Sequence, residues 1–509
     1  MNTELIKEII RNIDIILAPS LMSGNFPFDK NSIQRKTLTK GYLKFHIFQN
    51  KLFSTMSSRS PSSECKGIII GSLSKIYRKK NGEMGDHSNL FLKNYLNRNK
   101  IKTAEILIPN LRDIILFKYL FKVNPLAQNN SFILSYFKQH QGFNINKLDL
   151  QNKLLDKIKK IRKSEEIDTS WQSSKNLDFV EKNIERYVNF IGSKEFIGYL
   201  STIALSLENL FRTIKPKFII ANSLSGTRDR LAIFIAHRNN IKVLFVPHGV
   251  GGSSAIPRYI KEDDIPVDAY ASAIYSTKEK RKICEQKEVW HLGPLWLGYL
   301  LDARKNILRP GIKNKFCVLY ASQPLAKDRC ITKREYYNFL VEIFKTFKEL
   351  SMVADIEWII KLHPRDDIRF YKRILREIDL RVKFIRNPST VCIEDLEKLN
   401  LDIMISGYST FALEMIISGK MVMGLLPRTF KESFFSKYNK SVIPLYTELY
   451  TESNLRDFKI LFLEFLYDRK RREEKISRQA MLMREKGVWL DENSLESFLE
   501  FLNDFIYRE

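Results

Sequence analysis

The chain contains few of the residues that cross-link a fold or interrupt its helices and strands. Its five cysteines include no Cys-x-x-Cys pair and no Cys/His cluster, so neither a zinc site nor a disulfide framework is indicated. Only 20 glycines and 16 prolines are present among 509 residues, which excludes collagen-like and low-complexity chains. No apolar run reaches the ~18 residues needed to span a bilayer. The length itself predicts at least two domains.

Positive charge is in clear excess, because 84 Lys and Arg residues face 58 Asp and Glu residues, a net charge of +26. Such a chain attracts anions: nucleic acid, an anionic membrane surface or a phosphorylated small molecule. Glu4, Lys7 and Glu8 interrupt the apolar run that a secretory signal would need. We therefore expect a cytoplasmic protein, with the inner face of the cell membrane as a candidate peripheral surface.

Short runs rich in Ile, Val and Phe alternate with segments of helical periodicity, which predicts parallel sheets with crossover helices. Strands are expected at 67–71, 104–109, 218–221 and 243–247, and again at 316–320, 356–362, 382–385, 403–406 and 421–425. This is an α/β fold of two doubly wound domains facing a cleft, spanning 1–300 and 312–509, with a linker near 294–311. Residues 141–215 have the pattern of consecutive helices, so we expect them to form a helical insertion in the first domain.

One candidate site segment, VPHGVGGSS at 246–254, follows a predicted strand of the first domain. Its glycines, including Gly249 and Gly251, would let backbone N–H groups approach an anion or a sugar closely. His248 would add a titratable donor at the mouth of the cleft. The alternative is a glycine-rich turn whose histidine only satisfies a nearby carbonyl group.

A second segment, KLHPRDD at 361–367, follows the strand IEWII. Pro364 restricts His363 to an extended conformation, which holds the imidazole at the carboxyl end of the strand. Lys361 and Arg365 make the surroundings cationic, so His363 could stabilise or protonate a departing phosphate. An ordinary turn between a strand and a loop is the alternative.

A third segment, SGYSTFALEMIISGK at 406–420, follows the strand LDIMI. Ser406, Ser409 and Thr410 cluster where a helix begins, and a helix N-terminus with hydroxyl groups suits a phosphate. Glu414, one turn further along, could accept hydrogen bonds from ribose hydroxyls. The alternative is plain capping by Ser and Thr beside a solvated Glu. A fourth loop, YASQPLAKDR at 320–329, is the weakest candidate, because its Ser and Gln suit a turn equally well.

The order of these elements resembles the two-domain glycosyltransferases called GT-B. The similarity is to the bacterial group that includes capsule polysaccharide transferases, sialyltransferases with a His-Pro motif and teichoic-acid glycerophosphate polymerases. It is carried by PHG at 247–249, LHP at 362–364 and the segment at 406–420, and it covers roughly residues 215–430. The resemblance implies that His363, Ser409 and Thr410 contact a donor phosphate and that Glu414 binds ribose. Thr410 replaces the usual second Ser, and no Asp-Asp-Gly segment is present.

The predicted function is transfer of a sugar from a nucleotide-activated donor, with CMP or CDP favoured, to a glycan or lipid-linked glycan in bacterial surface polysaccharide synthesis. No metal or other cofactor is expected. His248 would face the cleft. Asp263 and Asp264, just beyond the glycine loop, are the candidates for the general base. The basic helix near 147–163 and the run at 469–472 would contact an anionic membrane. No nucleic-acid partner is expected, since no RNA-binding or zinc motif is present. A sugar-nucleotide 2-epimerase of the same fold and a non-catalytic polyanion-binding protein remain alternatives.

Overall fold

A computed structural model describes the chain at residues 2–13, 16–17, 61–62, 64–72, 76–78, 84–108, 131–133, 146–163, 178, 181–222, 227–246, 267–272, 288–295, 298, 315–323, 325–326, 331–363, 366–385, 401–407, 410–425, 455–485 and 488–507. Its helices and strands fall into two groups along the chain, each built around one parallel sheet.

The first group contains nine strands and six helices among these residues. In chain order they are α1 (Asn2–Arg11), β1 (Gly67–Ser72), β2 (Ile76–Arg78), β3 (Met84–Asp86), α2 (His87–Arg98), β4 (Thr103–Ile108), β5 (Ser131–Ile133), α3 (Lys147–Lys163), α4 (Ile184–Ile191), α5 (Lys194–Ile214), β6 (Phe218–Ala221), α6 (Thr227–Arg238), β7 (Lys242–Phe245), β8 (Ala269–Ser272) and β9 (Glu288–His291). Seven of the strands form a sheet in the order β5-β4-β1-β6-β7-β8-β9, with every neighbouring pair parallel. The strands β2 and β3 form a separate antiparallel pair.

Both faces of this first sheet are covered, which is why its central strands β1 and β6 are mostly apolar and do not alternate. The helices α1, α3, α4, α5 and α6 cover one face, where Ile68, Ile219 and Val243 are buried. The other face packs against α2 and against the last helix of the chain, α12 (Glu492–Tyr507), whose Phe498 and Leu502 are fully buried. The end of the chain therefore packs on the first sheet.

The second group has five strands and five helices between Phe316 and Glu485 in the described residues. They are β10 (Phe316–Ala321), α7 (Lys333–Val353), β11 (Ile356–Lys361), α8 (Ile368–Ile378), β12 (Lys383–Ile385), β13 (Ile403–Ser406), α9 (Thr410–Ile417), β14 (Met421–Gly424), α10 (Leu455–Tyr467) and α11 (Arg469–Glu485). The sheet order is β12-β11-β10-β13-β14, and all pairs are parallel. One face packs on α7, α8 and α10, and the other packs on α9 and α11.

The edge strand β14 is covered by a side chain from α11. Gln479 is fully buried, its amide nitrogen donates to the carbonyl oxygen of Val422 at 2.6 Å, and its amide oxygen accepts from the Val422 N–H at 3.2 Å. An exposed strand edge is a site of unwanted pairing, and here the amide satisfies both backbone groups.

The predicted fold class, α/β with two doubly wound parallel sheets and a helical insertion in the first, is confirmed. The insertion is formed by α3, α4 and α5, between β5 and β6. Three strands of the first sheet, β5, β8 and β9, were not predicted. Most of the proposed linker lies outside the described residues, and the domain limits stay a prediction. No helix in the described ranges is long and apolar enough to cross a membrane.

Candidate functional site

The central strand of the second sheet places two predicted site residues in one row. Ala321 of β10 pairs in register with Lys361 of β11 on one side and with Ser406 of β13 on the other. Residues in register on parallel strands point to the same face, and neighbouring strands lie about 4.8 Å apart. Lys361 and Ser406 therefore sit at one end of the sheet, separated by the small side chain of Ala321.

The side chain of Lys361 contacts an aromatic ring of α9 and interacts electrostatically with a carboxylate of the same helix. Its Nζ is 4.1 Å from the centroid of the Phe411 ring, a cation–π contact. Burial lowers the pKa of Lys361, and the negative charge of Glu414 acts in the opposite direction. The structure thus brings together Lys361 and Glu414, which the sequence placed 53 positions apart.

Ser406 is fully buried at the carboxyl end of β13, and among the residues that the structure describes its hydroxyl oxygen has no hydrogen-bond partner. An unsatisfied buried hydroxyl costs about 1–3 kcal/mol, so such groups are rare unless a ligand completes them. The helix α9 begins four residues later, at Thr410. A hydroxyl without a partner beside a helix N-terminus is suited to bind an anion such as phosphate.

The loop that carries His363 is fixed by one serine at the end of β10. The backbone N–H of His363 donates to Ser322 Oγ at 2.8 Å, and the Ser322 hydroxyl donates to Asp366 Oδ2 at 2.5 Å. The Asp366 N–H donates to the carbonyl oxygen of His363 at 2.8 Å, which closes the turn. The backbone of the half-buried His363 is therefore fixed by two hydrogen bonds.

Two buried tyrosines are hydrogen-bonded to each other, and one of them contacts Asp366 of this loop. Tyr371 OH lies 3.4 Å from Asp366 Oδ2 and 2.5 Å from the phenol oxygen of Tyr336. Burial raises the pKa of Tyr371 well above its usual range, so the phenol stays neutral and can donate to the carboxylate. The side-chain oxygen of Gln323, next to Ser322, is buried without a hydrogen-bond partner.

Interpretation of the sequence alone gives too little weight to the loop that follows β10 as part of the candidate site. Ser322 and Gln323 had been given the least weight of the four segments, and Asp366 had been assigned no role. Their only signal was position, since each follows a strand of the second sheet near its carboxyl end. A serine that organises a neighbouring loop has no sequence signature of its own, because its partners are 41 and 44 residues away.

Several predicted site residues lie outside the described part of the chain. In the first domain these are His248, Gly249, Gly251, Asp263 and Asp264; in the second they are Arg365 and Ser409. Thr410 is the first residue of α9, and its side chain is likewise outside the described set. Among the residues that are described, no group of three or more His, Cys, Asp or Glu side chains could hold a metal ion.

We expect opposite effects on stability when the two serines of this site are removed. Ser406→Ala should leave the free energy of unfolding unchanged or raise it by about 1–3 kcal/mol, because it removes a buried hydroxyl without a partner. Ser322→Ala should lower it by a similar amount, because it leaves the His363 N–H without an acceptor. Urea unfolding of the ligand-free protein measures both. Equal losses in the two variants would contradict the assignment of Ser406 to a ligand.

Comparisons with known proteins give only distant matches. No protein-family model matches the sequence, and no curated protein matches it. Among solved structures, UDP-GlcNAc 2-epimerase from Neisseria meningitidis is 11% identical, with 86% of this chain and 99% of that chain covered and a TM-score of 0.49. A glycosyltransferase from Rickettsia africae is 12% identical, with 87% and 100% covered and a TM-score of 0.45. The wall teichoic acid polymerase TagF is 12% identical, with 94% and 98% covered and a TM-score of 0.38.

Proposed function

We propose that the chain is a metal-independent glycosyltransferase of GT-B architecture. It would transfer a sugar from a nucleotide-activated donor, with a CMP or CDP donor favoured, to a glycan or lipid-linked glycan acceptor. The pathway would be synthesis of a bacterial surface polysaccharide at the cytoplasmic face of the cell membrane. The observation that carries this proposal is the row at the end of the second sheet. There, a buried hydroxyl without a partner and a half-buried lysine flank one small residue.

The chemistry of transfer fits this row. The acceptor hydroxyl attacks the anomeric carbon, the bond from that carbon to the phosphate oxygen breaks, and negative charge grows on the leaving nucleotide. Catalysis requires groups that bind this charge more strongly in the transition state than in the ground state. Lys361, the Ser406 hydroxyl and the N-terminus of α9 would bind the phosphate, while His363 would stabilise or protonate the leaving oxygen.

Lys361 is also stabilised in the site before any anion binds. A cation half-buried beside Phe411 is held by the ring and by the Glu414 carboxylate, so the site already carries charge before a nucleotide enters. A donor phosphate would add the full negative charge that the pocket lacks. The Glu414 carboxylate would accept hydrogen bonds from the ribose hydroxyls.

The acceptor side of the reaction is assigned to the first domain. His248 would face the cleft there, Gly249 and Gly251 would let the backbone approach the sugar, and Asp263 or Asp264 would supply the general base. The acceptor would be a polyanionic glycan or a lipid phosphate, which is consistent with a net charge of +26.

The deciding experiment is nucleotide binding measured by thermal shift with CMP, CDP, UDP and GDP. A nucleotide at a hundredfold excess over its dissociation constant stabilises the folded protein by about 2.7 kcal/mol, so one of the four should raise the melting temperature clearly. Ser406→Ala should weaken that shift. If no nucleotide stabilised the protein while nucleic acid bound in a salt-sensitive manner, the chain would be a polyanion-binding protein instead.

A second measurement separates transfer from epimerisation. The protein is incubated with sugar nucleotides, with and without an acceptor glycan, and the products are resolved by mass spectrometry and NMR. Release of free nucleotide that depends on the acceptor supports transfer. Conversion of the donor to its 2-epimer without acceptor would identify a sugar-nucleotide 2-epimerase and overturn the proposal.

A further inference from the structure

An open groove of about 430 Å³ lies at the edge of the second sheet, between α8 and the edge strand β12. Three cationic side chains line it: Lys372, Arg376 and Arg381. Three partly exposed apolar side chains line it as well: Leu380, Val382 and Phe384. We call these six residues the edge groove. They lie at the side of the sheet, whereas the candidate active site lies at the carboxyl ends of its central strands.

Positive charge exceeds negative charge among the described residues that line the edge groove. Within the part of the chain that the structure describes, none of its three cations forms an ion pair. The acidic residue that also lines the groove, Asp379, is engaged by Lys348 of α7, whose Nζ lies 3.7 Å from its carboxylate. An anion entering the groove would therefore meet three cations and one carboxylate, a net positive charge.

Helix α7, which contacts the end of α8, carries an exposed apolar residue. Lys348 Nζ donates to the carbonyl oxygen of Ile378, the last residue of α8, at 2.9 Å. Met352 lies four residues further along α7, so it projects from the same side of that helix, one turn beyond the contact. Its residue surface is 77% exposed. A large apolar side chain this open, one turn from the residue that contacts the end of α8, favours a partner that has hydrocarbon as well as charge.

In the two basic segments identified from the sequence, in α3 and α11, part of the positive charge is already paired within the same helix. In α3, Lys153 pairs with Asp149 at 3.1 Å. In α11, Arg469 pairs with Glu473 at 2.7 Å, and Arg472 donates to the carbonyl oxygen of Phe465 at 3.2 Å. Pairs of this kind leave less charge for an external anion than the edge groove does.

We infer that the edge groove, with Met352 beside it, is the surface that docks the protein on an anionic membrane. Lipid phosphates would bind Lys372, Arg376 and Arg381, while Met352 and the apolar lining of the groove would contact the acyl boundary. A soluble polyanion would use the cations and leave Met352 in water. The inference rests on the membrane partner of the proposed function, but vesicle binding is measured without donor or acceptor, so its failure and the failure of transfer are distinguishable.

The test is co-sedimentation of the full chain with vesicles of phosphatidylcholine alone and of phosphatidylcholine with phosphatidylglycerol, at about 0.05 M and about 0.3 M NaCl. The wild type should bind only the anionic vesicles, and less in high salt. The triple variant Lys372→Gln, Arg376→Gln, Arg381→Gln should lose on the order of 100-fold in affinity at low salt. Circular dichroism should show unchanged folding, since these side chains are at the surface.

Matched control variants distinguish binding through the edge groove from a general effect of the protein's positive charge. The triple variant Lys153→Gln, Lys157→Gln, Lys159→Gln removes the same charge from α3 and should change vesicle affinity less than threefold. Met352→Gln should weaken binding several-fold, whereas Met481→Gln, at another exposed methionine, should not. Equal losses in the two triple variants would overturn the inference. It would also be overturned if Met352→Gln had no effect while inorganic polyphosphate displaced the protein from vesicles, since a soluble polyanion would then be the partner.

Discussion

His363→Ala should lower the turnover number for sugar transfer by about two to four orders of magnitude, the usual range when acid–base assistance is lost. The variant should fold normally, because the loop is held by the backbone of His363 and by Ser322 and Asp366, all of which survive the substitution. The loss should appear in kcat more than in KM, since the imidazole is assigned to charge that develops in the transition state. Steady-state kinetics with a saturating donor measures it.

The matched control is His237→Ala. This histidine is near the end of α6, which leads into the amino end of β7, and it lies 3.7 Å from the Asp268 carboxylate, away from the second sheet. Its removal should leave turnover within about threefold of the wild type. If His363→Ala retained near-normal turnover, His363 would be removed from the mechanism, and Lys361 would be left as the cation of the phosphate site.

The sheets were predictable because each strand buried on both faces leaves a continuous apolar run. The segments FIIA, which forms β6, and IMIS, which forms β13, were located to the residue. The strands that were missed, β5, β8 and β9, have the sequences SFI, AYAS and EVWH, in which polar residues shorten or interrupt the apolar run. A strand without such a run is recognised from its pairing with a neighbour, which a local pattern does not reveal.

The packing of α12 on the first sheet was equally hidden. Its buried residues, such as Phe498 and Leu502, form an apolar face that would fit either domain. Helical periodicity identifies the buried face of a helix, but it does not identify the sheet against which that face packs.

The site shows the same division between local and distant information. His363 and Glu414 were predicted because Pro364 and the hydroxyls at 409–410 mark them locally. The support given by Ser322 and Asp366 was not predicted, because it depends on the register of β10 against β11 and on hydrogen bonds across more than 40 residues. The free hydroxyl of Ser406 is visible only once its surroundings are built. The sequence therefore indicates the candidate catalytic and binding groups, and the structure indicates the groups that position them.

Joint replacement of Ser409 and Thr410 by Ala should weaken nucleotide binding by roughly two to four orders of magnitude in Kd. Each hydroxyl that donates to a charged phosphate contributes about 1.5–3 kcal/mol, and the pair stands where α9 begins. The loss should be found with every nucleotide that carries the phosphate and should be absent with the free nucleoside. Isothermal calorimetry with the nucleotide selected by thermal shift measures the change directly.

A simple capping role for the pair would give a different result, which a control makes visible. Ser193 caps α5 in the helical insertion, where its hydroxyl accepts from the Phe196 N–H at 3.2 Å, and Ser193→Ala should cost about 1 kcal/mol of stability with no change in nucleotide affinity. If the Ser409 and Thr410 double variant behaved in the same way, losing stability while keeping its affinity, the two hydroxyls would be helix caps. The phosphate would then be bound by Lys361 and the backbone N–H groups of α9, and the Ser406 hydroxyl would be the remaining side-chain donor to test.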